Sequence, residues 1–244
     1  MTRRRWIADI WNESTATLAG AKAAHLGRVL RAQPGMEFDL VVGARVRRAI
    51  ISSISEDSID FTLGEDIEVD PPLPVTLLLA IFKFDRVEWA IEKTTELGVA
   101  RIMPVIARRT EKHLAQAAAT RVERWRRIAR EAAQQSRRSD APAIDDPIPL
   151  KDAVSLESSA VRLLLAENES RVTLKDAVEG YDEAQLFCLA VGPEGGWTTE
   201  EESLFATQGW KPVSLGPRIL RAETAAIAAL SIVTAFGGSR RTTD

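Results

Sequence analysis

Residues Val75 to Phe82 read Val-Thr-Leu-Leu-Leu-Ala-Ile-Phe, a nearly unbroken apolar run. A strand with one wet face alternates apolar and polar side chains. This one does not, so it must be covered on both faces, as interior strands of mostly parallel sheets are. Lys83-Phe84-Asp85-Arg86 then leads into a helix over Val87 to Leu97 that Gly98 closes as a C-cap, followed by a strand over Arg101 to Ile106. Further strands are predicted at Val161 to Ala166, Leu186 to Val191 and Val213 to Leu215. A short helix falls around Leu174 to Val178, and an alanine-rich one opens at Ala222-Glu223-Thr224 and runs to about Phe236. Strands alternating with helices predict a three-layer α/β domain.

Asp70-Pro71-Pro72-Leu73-Pro74 marks a boundary before this run, because prolines stiffen the chain and cannot donate to a ladder. Residues 1 to 70 read as a small β-rich unit. Strands fall at Phe38 to Val42, Arg45 to Ile51 and Ser58 to Leu63, with turns at Gly43-Ala44 and Ser55-Glu56-Asp57, and Ala21 to Leu30 is helical in pattern. Within that helix Arg28 and Arg31 fall three apart, on one face. Residues 120 to 138 form a strongly basic helix whose Val122, Trp125, Ile128, Ala129 and Ala132 share a face, and Asp140 to Pro149 is a loop.

With 244 residues and 45% hydrophobic content, one large or two small domains are possible. No apolar run approaches the roughly 20 residues that span a bilayer. The basic start, Arg3-Arg4-Arg5-Trp6, has no apolar stretch after it and is not read as a secretory signal. Two histidines and the single Cys188, inside an apolar strand, cannot supply a common structural zinc site, so no metal is expected. No glycine-rich dinucleotide fingerprint and no phosphate-binding loop follows a strand. The net charge of −3 is unevenly spread: Arg45, Arg47, Arg48, Arg108, Arg109, Arg121 to Arg130, Arg137 and Arg138 form basic clusters that are either solvated faces or parts of an RNA surface.

Two strand ends stand out. Leu189 to Val191 runs into Gly192-Pro193-Glu194-Gly195-Gly196-Trp197, whose glycines allow positive φ and close backbone approach to a ligand. Thr198 and Glu201 then form a capping box for the next helix. Val213 to Leu215 runs into Gly216-Pro217, after which Arg218 and Arg221 flank Ile219-Leu220 and Glu223 sits where a helix dipole favours a carboxylate. The carboxyl ends of strands in an α/β sheet are where ligands bind. Each segment alone is equally an ordinary strand, turn and capped helix.

Together, GPEGGWTTEE and LGPRILRAETA resemble the paired signature of RsmE-type ribosomal RNA uridine N3-methyltransferases of the SPOUT superfamily, with Trp197-Thr198 where the family has Phe-Ser. His25-Leu26-Gly27-Arg28-Val29-Leu30-Arg31 and the block from Lys83 and Arg86 to Glu96-Leu97-Gly98-Val99 resemble further family segments. So do Gln135, Ser136 and Arg138, although Gln134 replaces the family's glutamate. The resemblance implies a PUA-like β-barrel over 1–70 that helps hold RNA. It implies a SPOUT-type knotted α/β domain with a mostly parallel sheet over 71–244, ending in a trefoil knot. By the same resemblance the chain uses S-adenosylmethionine to methylate N3 of a specific uridine of 16S rRNA, uracil 1498, in the small ribosomal subunit. It works as a homodimer in the cytoplasm, with no membrane and no metal.

The donor would be cradled by Leu189, Val191, Gly192, Pro193, Glu194, Gly195 and Gly196, with Leu215, Gly216, Ile219, Leu220, Thr224 and Ala225. RNA would meet Arg5, His25, Arg28, Arg31, Lys83, Arg86, Gln135, Ser136 and Arg138. A sulfonium methyl is already electrophilic, so the site's task is in-line positioning. Uridine N3 attacks as its anion, which assigns Arg221 to stabilise that charge, Arg218 to support it, and Glu223 to orient an arginine or accept the proton. Ribose 2′-O methylation by a SPOUT relative, and a non-catalytic RNA-binding assembly factor, remain as alternatives.

Overall fold

The computed structural model describes residues 5–43, 45–68, 71–136, 138–156, 160–182 and 184–236. Arg3, Arg4, Ala44, Asp70 and Arg137, all singled out above, lie outside the described residues. The chain divides into two compact units, one of Met1–Pro71 with Ala133–Ala141, the other of Pro72–Ala132 with Pro142–Asp244.

The first unit is a six-stranded sheet. Its elements are β1 (Arg5–Ile7), β2 (Ile10–Trp11), β3 (Thr15–Ala19), the short α1 (Gly20–Ala24), β4 (Glu37–Val42), β5 (Arg45–Ile54) and β6 (Ser58–Ile67). The spatial order is β1-β4-β5-β6-β3-β2, antiparallel except where β1 runs parallel to β4. Period-two alternation drives it: Ala49 and Ile51 on β5 and Ile59, Phe61 and Leu63 on β6 point to one core with Leu18, Leu26 and Leu40. The first three strands escape sequence reading because they are two to five residues long and carry little periodicity.

The expected helix over Ala21 to Leu30 departs from regularity. After Ala24 the chain makes a π-helical turn over His25–Val29, and Arg31 follows with φ +51°. Arg31 therefore lies beyond the helix, and the expectation that it shares a helical face with Arg28 is corrected. His25 is exposed, its ring 5.8 Å from that of Trp6.

The second unit begins with β7 (Leu73–Ala80), the strand of the apolar run, then α2 (Phe84–Glu96), β8 (Val99–Ile106) and α3 (Lys112–Gln135), whose end reaches into the first unit's residues. The loop expected at 140–149 holds two short strands, β9 (Ala143–Ile144) and β10 (Ile148–Pro149). Next come α4 (Leu150–Ala153), β11 (Val161–Leu165), α5 (Leu174–Val178), β12 (Phe187–Val191), α6 (Thr199–Thr207), β13 (Lys211–Val213) and α7 (Ala222–Phe236). The last strand ends two residues earlier than the sequence suggested. Ser214 continues it only as a single bridge to Thr173.

The sheet order is β10-β8-β7-β12-β11-β13, with β9 also on β8, and every ladder is parallel. β7 thus sits inside the sheet, which is why its residues are apolar in succession. Leu77 and Leu79 face a core shared with α2, α3, α5 and α7, while Leu78 and Ala80 face a second core with α4 and α6. This α/β layering matches the expected fold class at the level of a mostly parallel sheet covered on both faces.

Candidate active site

β12, β11 and β13 are neighbours and parallel, so their carboxyl ends emerge side by side. The loops leaving them wall a cleft of about 930 Å³. From β12 come Val191 to Trp197, from β11 the segment Leu165 to Ser170, and from β13 the segment Val213 to Ala222 with Ala225. The two signature segments, separate in sequence, therefore share one cavity. Hydrogen bonds stitch its floor: Ala166 N donates to Val213 O (3.1 Å), Ser214 N to Val172 O (2.9 Å), and Leu174 N to Ser214 O (2.8 Å).

Steric demands inside the protein account for two of the glycines. A Cβ on Gly192 would stand 3.1 Å from Cε2 of Trp197, and one on Gly195 would stand 3.1 Å from Cδ of Arg109. Gly196 (φ +71°) and Gly216 (φ +113°) instead require left-handed backbone. Arg109 is the buttress of this loop: its Nη1 donates to Gly195 O, and to Trp197 O at 3.2 Å. The capping box at the start of α6 is present. Thr198 N donates to Glu201 Oε2 (2.9 Å), while Glu201 Oε1 accepts Arg108 N at 2.7 Å, so one buried carboxylate ties both loops.

Arg86 and the expected donor residues Val191, Gly192, Pro193, Glu194, Gly195, Gly196, Leu215, Gly216, Ile219, Leu220 and Ala225 all line the cleft. Leu189 does not; it is sealed in the core at the middle of β12. Thr224 is exposed and lies outside the cleft wall. Arg218 and Arg221 line the cleft, are exposed, and have no ion-pair partner among the described residues. Glu223 is 2% exposed, behind the wall, 3.9 Å from Arg86 Nε. Its nearest cation is thus Arg86, not Arg218 or Arg221.

Sequence reading placed Arg109 only in a basic cluster, and it missed the β11 loop with Glu167, Asn168, Glu169 and Ser170, as well as Glu202, whose carboxylate accepts from Asn168 Nδ2 at 3.3 Å. The available signal was position: each follows the carboxyl end of an apolar strand. Glu169 accepts backbone N–H groups of Arg171 and Val172, which hold its carboxyl below the usual range. The carboxyl of Glu200 is also held low, by backbone hydrogen bonding at the start of α6 and by Thr198. Both remain anionic at neutral pH, and Glu169 lines the cleft.

The remaining RNA candidates are distributed otherwise. Lys83 is exposed at the N-cap of α2, outside the cleft wall. In the first unit Arg5 lies on β1, and Arg138 is half-buried, its guanidinium pKa lowered by that burial. Gln135 is exposed, and Ser136 Oγ donates to Ala133 O at 3.4 Å. Much of the basic surface is paired: Arg47 with Asp66 (3.1 Å), Arg124 with Glu88 (2.6 Å), and Arg126 with Glu123 (2.7 Å) and Asp146 (3.0 Å). Among the described residues no cluster of His, Cys, Asp and Glu is arranged to hold a metal, and no helix is long and apolar enough to cross a membrane.

A family model described as an RNA methyltransferase domain matches residues 69–234, which hold every strand and loop of this cleft. The ribosomal RNA small subunit methyltransferase E of Synechocystis sp. is 36% identical over 229 residues, covering 92% of this chain and 74% of the relative. The chain belongs to the RsmE family of RNA methyltransferases. Its fold is similar to that of the Neisseria gonorrhoeae ribosomal RNA small subunit methyltransferase E bound to S-adenosyl methionine. There the TM-score is 0.83 at 29% identity, over 96% of this chain and 98% of the other. A Legionella pneumophila putative methyltransferase, also in complex with its cofactor SAM, superposes with a TM-score of 0.81 at 31% identity and the same coverage.

Proposed function

We propose that this methyltransferase transfers the methyl group of S-adenosylmethionine to N3 of a uridine in 16S rRNA of the small ribosomal subunit. The observation that carries the reading is the convergence of both signature segments on one cleft, with Arg218 and Arg221 exposed in its wall. The cleft suits such a donor: Val191, Leu215, Leu220 and Ala225 offer apolar contact for a purine, and Glu167, Glu202 and Asn168 offer acceptors for hydroxyl and ammonium groups. When bound, the donor supplies an electrophilic methyl carbon. The chain's own task is then to orient the uracil ring in line with it and to hold the charge that develops on O2 and O4 as N3 loses its proton. Arg221 takes that role with Arg218 beside it, because two guanidiniums without carboxylate partners keep their donors for a substrate oxygen.

The rest of the reading extends to the whole chain. Residues 1–70, the larger part of the first unit, serve as a PUA-like RNA-binding domain. Its mostly antiparallel six-stranded sheet and the candidates Arg5, His25, Arg28 and Arg31 support that role, while Gln135, Ser136 and Arg138 add polar groups at the end of α3. Residues 71–244 form the SPOUT-type catalytic domain. The chain leaving β13 is bonded between Val172 and Leu174 before α7 packs on the face that carries α2 and α5, a close passage that supports a trefoil knot. A homodimer acting in the cytoplasm completes the reading, and exposed Ile219 (81%) in the cleft loop is the kind of apolar side chain a partner subunit would cover.

The test is nucleoside mass spectrometry of small-subunit rRNA from cells with and without the gene. Loss of N3-methyluridine, restored by purified protein and S-adenosylmethionine, is the expected result. Loss of a 2′-O-methyl nucleoside would keep the fold and overturn the chemistry. An unchanged set of methylated nucleosides would make the protein an RNA-binding assembly factor.

A further inference from the structure

Glu223 is the most heavily buried carboxylate of the molecule's cleft region, 2% exposed at the second position of α7. Burying a carboxylate is costly unless it is paired. The helix dipole stabilises it in part, yet its Oε2 has no hydrogen-bond partner among the described residues, and its Oε1 lies 3.9 Å from Arg86 Nε, beyond hydrogen-bond length. The same guanidinium donates through Nη1 to Glu194 Oε1 at 2.5 Å. Glu194 belongs to the Gly192–Gly196 loop and is more than a third exposed, whereas Glu223 begins the helix that follows the Arg218–Arg221 loop. One arginine, delivered from the first turn of α2, thus stands between two carboxylates, one from each signature segment. All three residues come from distant parts of the sequence, and Arg86 and Glu194 both line the cleft.

We propose that Arg86 is a positioning residue of the methyl-transfer site, holding the two signature segments in fixed relation through Glu194 and Glu223. It is not an RNA contact. The proposal rests on the donor-binding role assigned to this cleft. Guanidinium geometry suits the task, since its donors diverge enough to serve two carboxylates at once, and a lysine ammonium, a point charge, reaches one at a time. Removing the charge leaves Glu223 buried without a cation and frees Glu194, so the loop that walls the donor loses its anchor.

The test uses the full-length chain. Donor affinity is measured by calorimetry with S-adenosylmethionine, RNA affinity by filter binding with small-subunit rRNA, and KM and kcat separately, for wild type, R86M, R86K, E223Q and R86M/E223Q. The expected result is that R86M weakens donor affinity and raises the donor KM by about tenfold or more, with RNA affinity within about twofold of wild type. E223Q in the R86M background restores part of the loss, because a neutral amide needs no counter-charge, and R86K falls between wild type and R86M. Should R86M fail to fold, E194Q reads the same clamp from its exposed end and is expected to raise the donor KM without changing RNA affinity. Weakened RNA binding with unchanged donor affinity would make Arg86 an RNA contact after all. Strictly additive R86M and E223Q effects would deny the coupling. A wild-type protein that binds no donor would instead fail the functional reading on which this rests.

Discussion

Gly192 offers the sharpest test of how the cleft is built. An alanine Cβ there would sit 3.1 Å from Cε2 and 3.2 Å from Nε1 of Trp197. Carbon pairs are comfortable at roughly 3.5–4.0 Å, so the indole must retreat by about 0.5 Å. It has little room: Trp197 is 7% exposed, its ring centroid is 4.9 Å from that of Phe205, and Phe205 in turn is 5.1 Å from Trp210. Overpacking of this kind costs about 1–3 kcal/mol. Gly192 has no positive φ to strain, so alanine recovers a few tenths by reducing unfolded-state entropy, and the net loss is about 1–2 kcal/mol. Urea unfolding of Gly192→Ala is expected to show a lower midpoint at unchanged slope. Trp197→Phe strands no hydrogen-bond acceptor among the described residues, where Trp197 Nε1 has no partner, and it removes the very atoms the new methyl meets. The double variant is therefore expected to be more stable than the sum of the two single losses by about 1 kcal/mol. A Gly192→Ala protein with wild-type midpoint, or strict additivity with Trp197→Phe, would refute the claim that Trp197 is what this glycine accommodates.

Glu201→Ala removes the acceptor for both Thr198 N and Arg108 N and is expected to cost about 1–3 kcal/mol, read as a lower thermal midpoint. Gly98 closes α2 at φ +98°, so Gly98→Ala is expected to destabilise by about 1 kcal/mol or more in denaturant unfolding. The Asp176 carboxyl is held below its ordinary value of 3.8, chiefly by Thr173 at the start of α5. The stability it contributes is present above that value and is lost as pH falls through the lower folded pKa; Asp176→Asn is expected to lower stability at pH 7 and flatten the acid limb of a stability–pH curve. Arg221→Ala is expected to keep donor binding, measured by calorimetry, while turnover falls by about a hundredfold or more.

Much of the fold was legible because local rules were obeyed. The apolar run ending in Phe82 placed β7 inside the sheet, Gly98 closed α2, and the Thr198–Glu201 box opened α6 where it was expected. What went unread were elements too short to carry a period: β1, β2, β9, β10 and α4, each no longer than four residues. The π-helical turn at His25–Val29 was equally hidden, since nothing in a side-chain pattern distinguishes it from an α-helical one, and it moved Arg31 away from Arg28. The two signature segments were visible as strands ending in glycine turns, but the role of Gly192 was not, because its reason is an indole five residues on that folds back over it.

By itself the sequence determined where most of the longer strands and helices fall and that two glycine-bearing turns follow apolar strands. Those are consequences of nearest-neighbour chemistry: burial on one face or two, caps, and backbone freedom. Only the tertiary structure decided that β11, β12 and β13 lie side by side so that three loops wall one cleft, and that Arg86 from the first turn of α2 and Arg109 from beyond β8 reach into it. Strand order in a parallel sheet is set by how helices cover both faces and by long-range pairing. A residue 108 positions away in the chain, as Arg86 is from Glu194, leaves no periodic trace of its eventual partner.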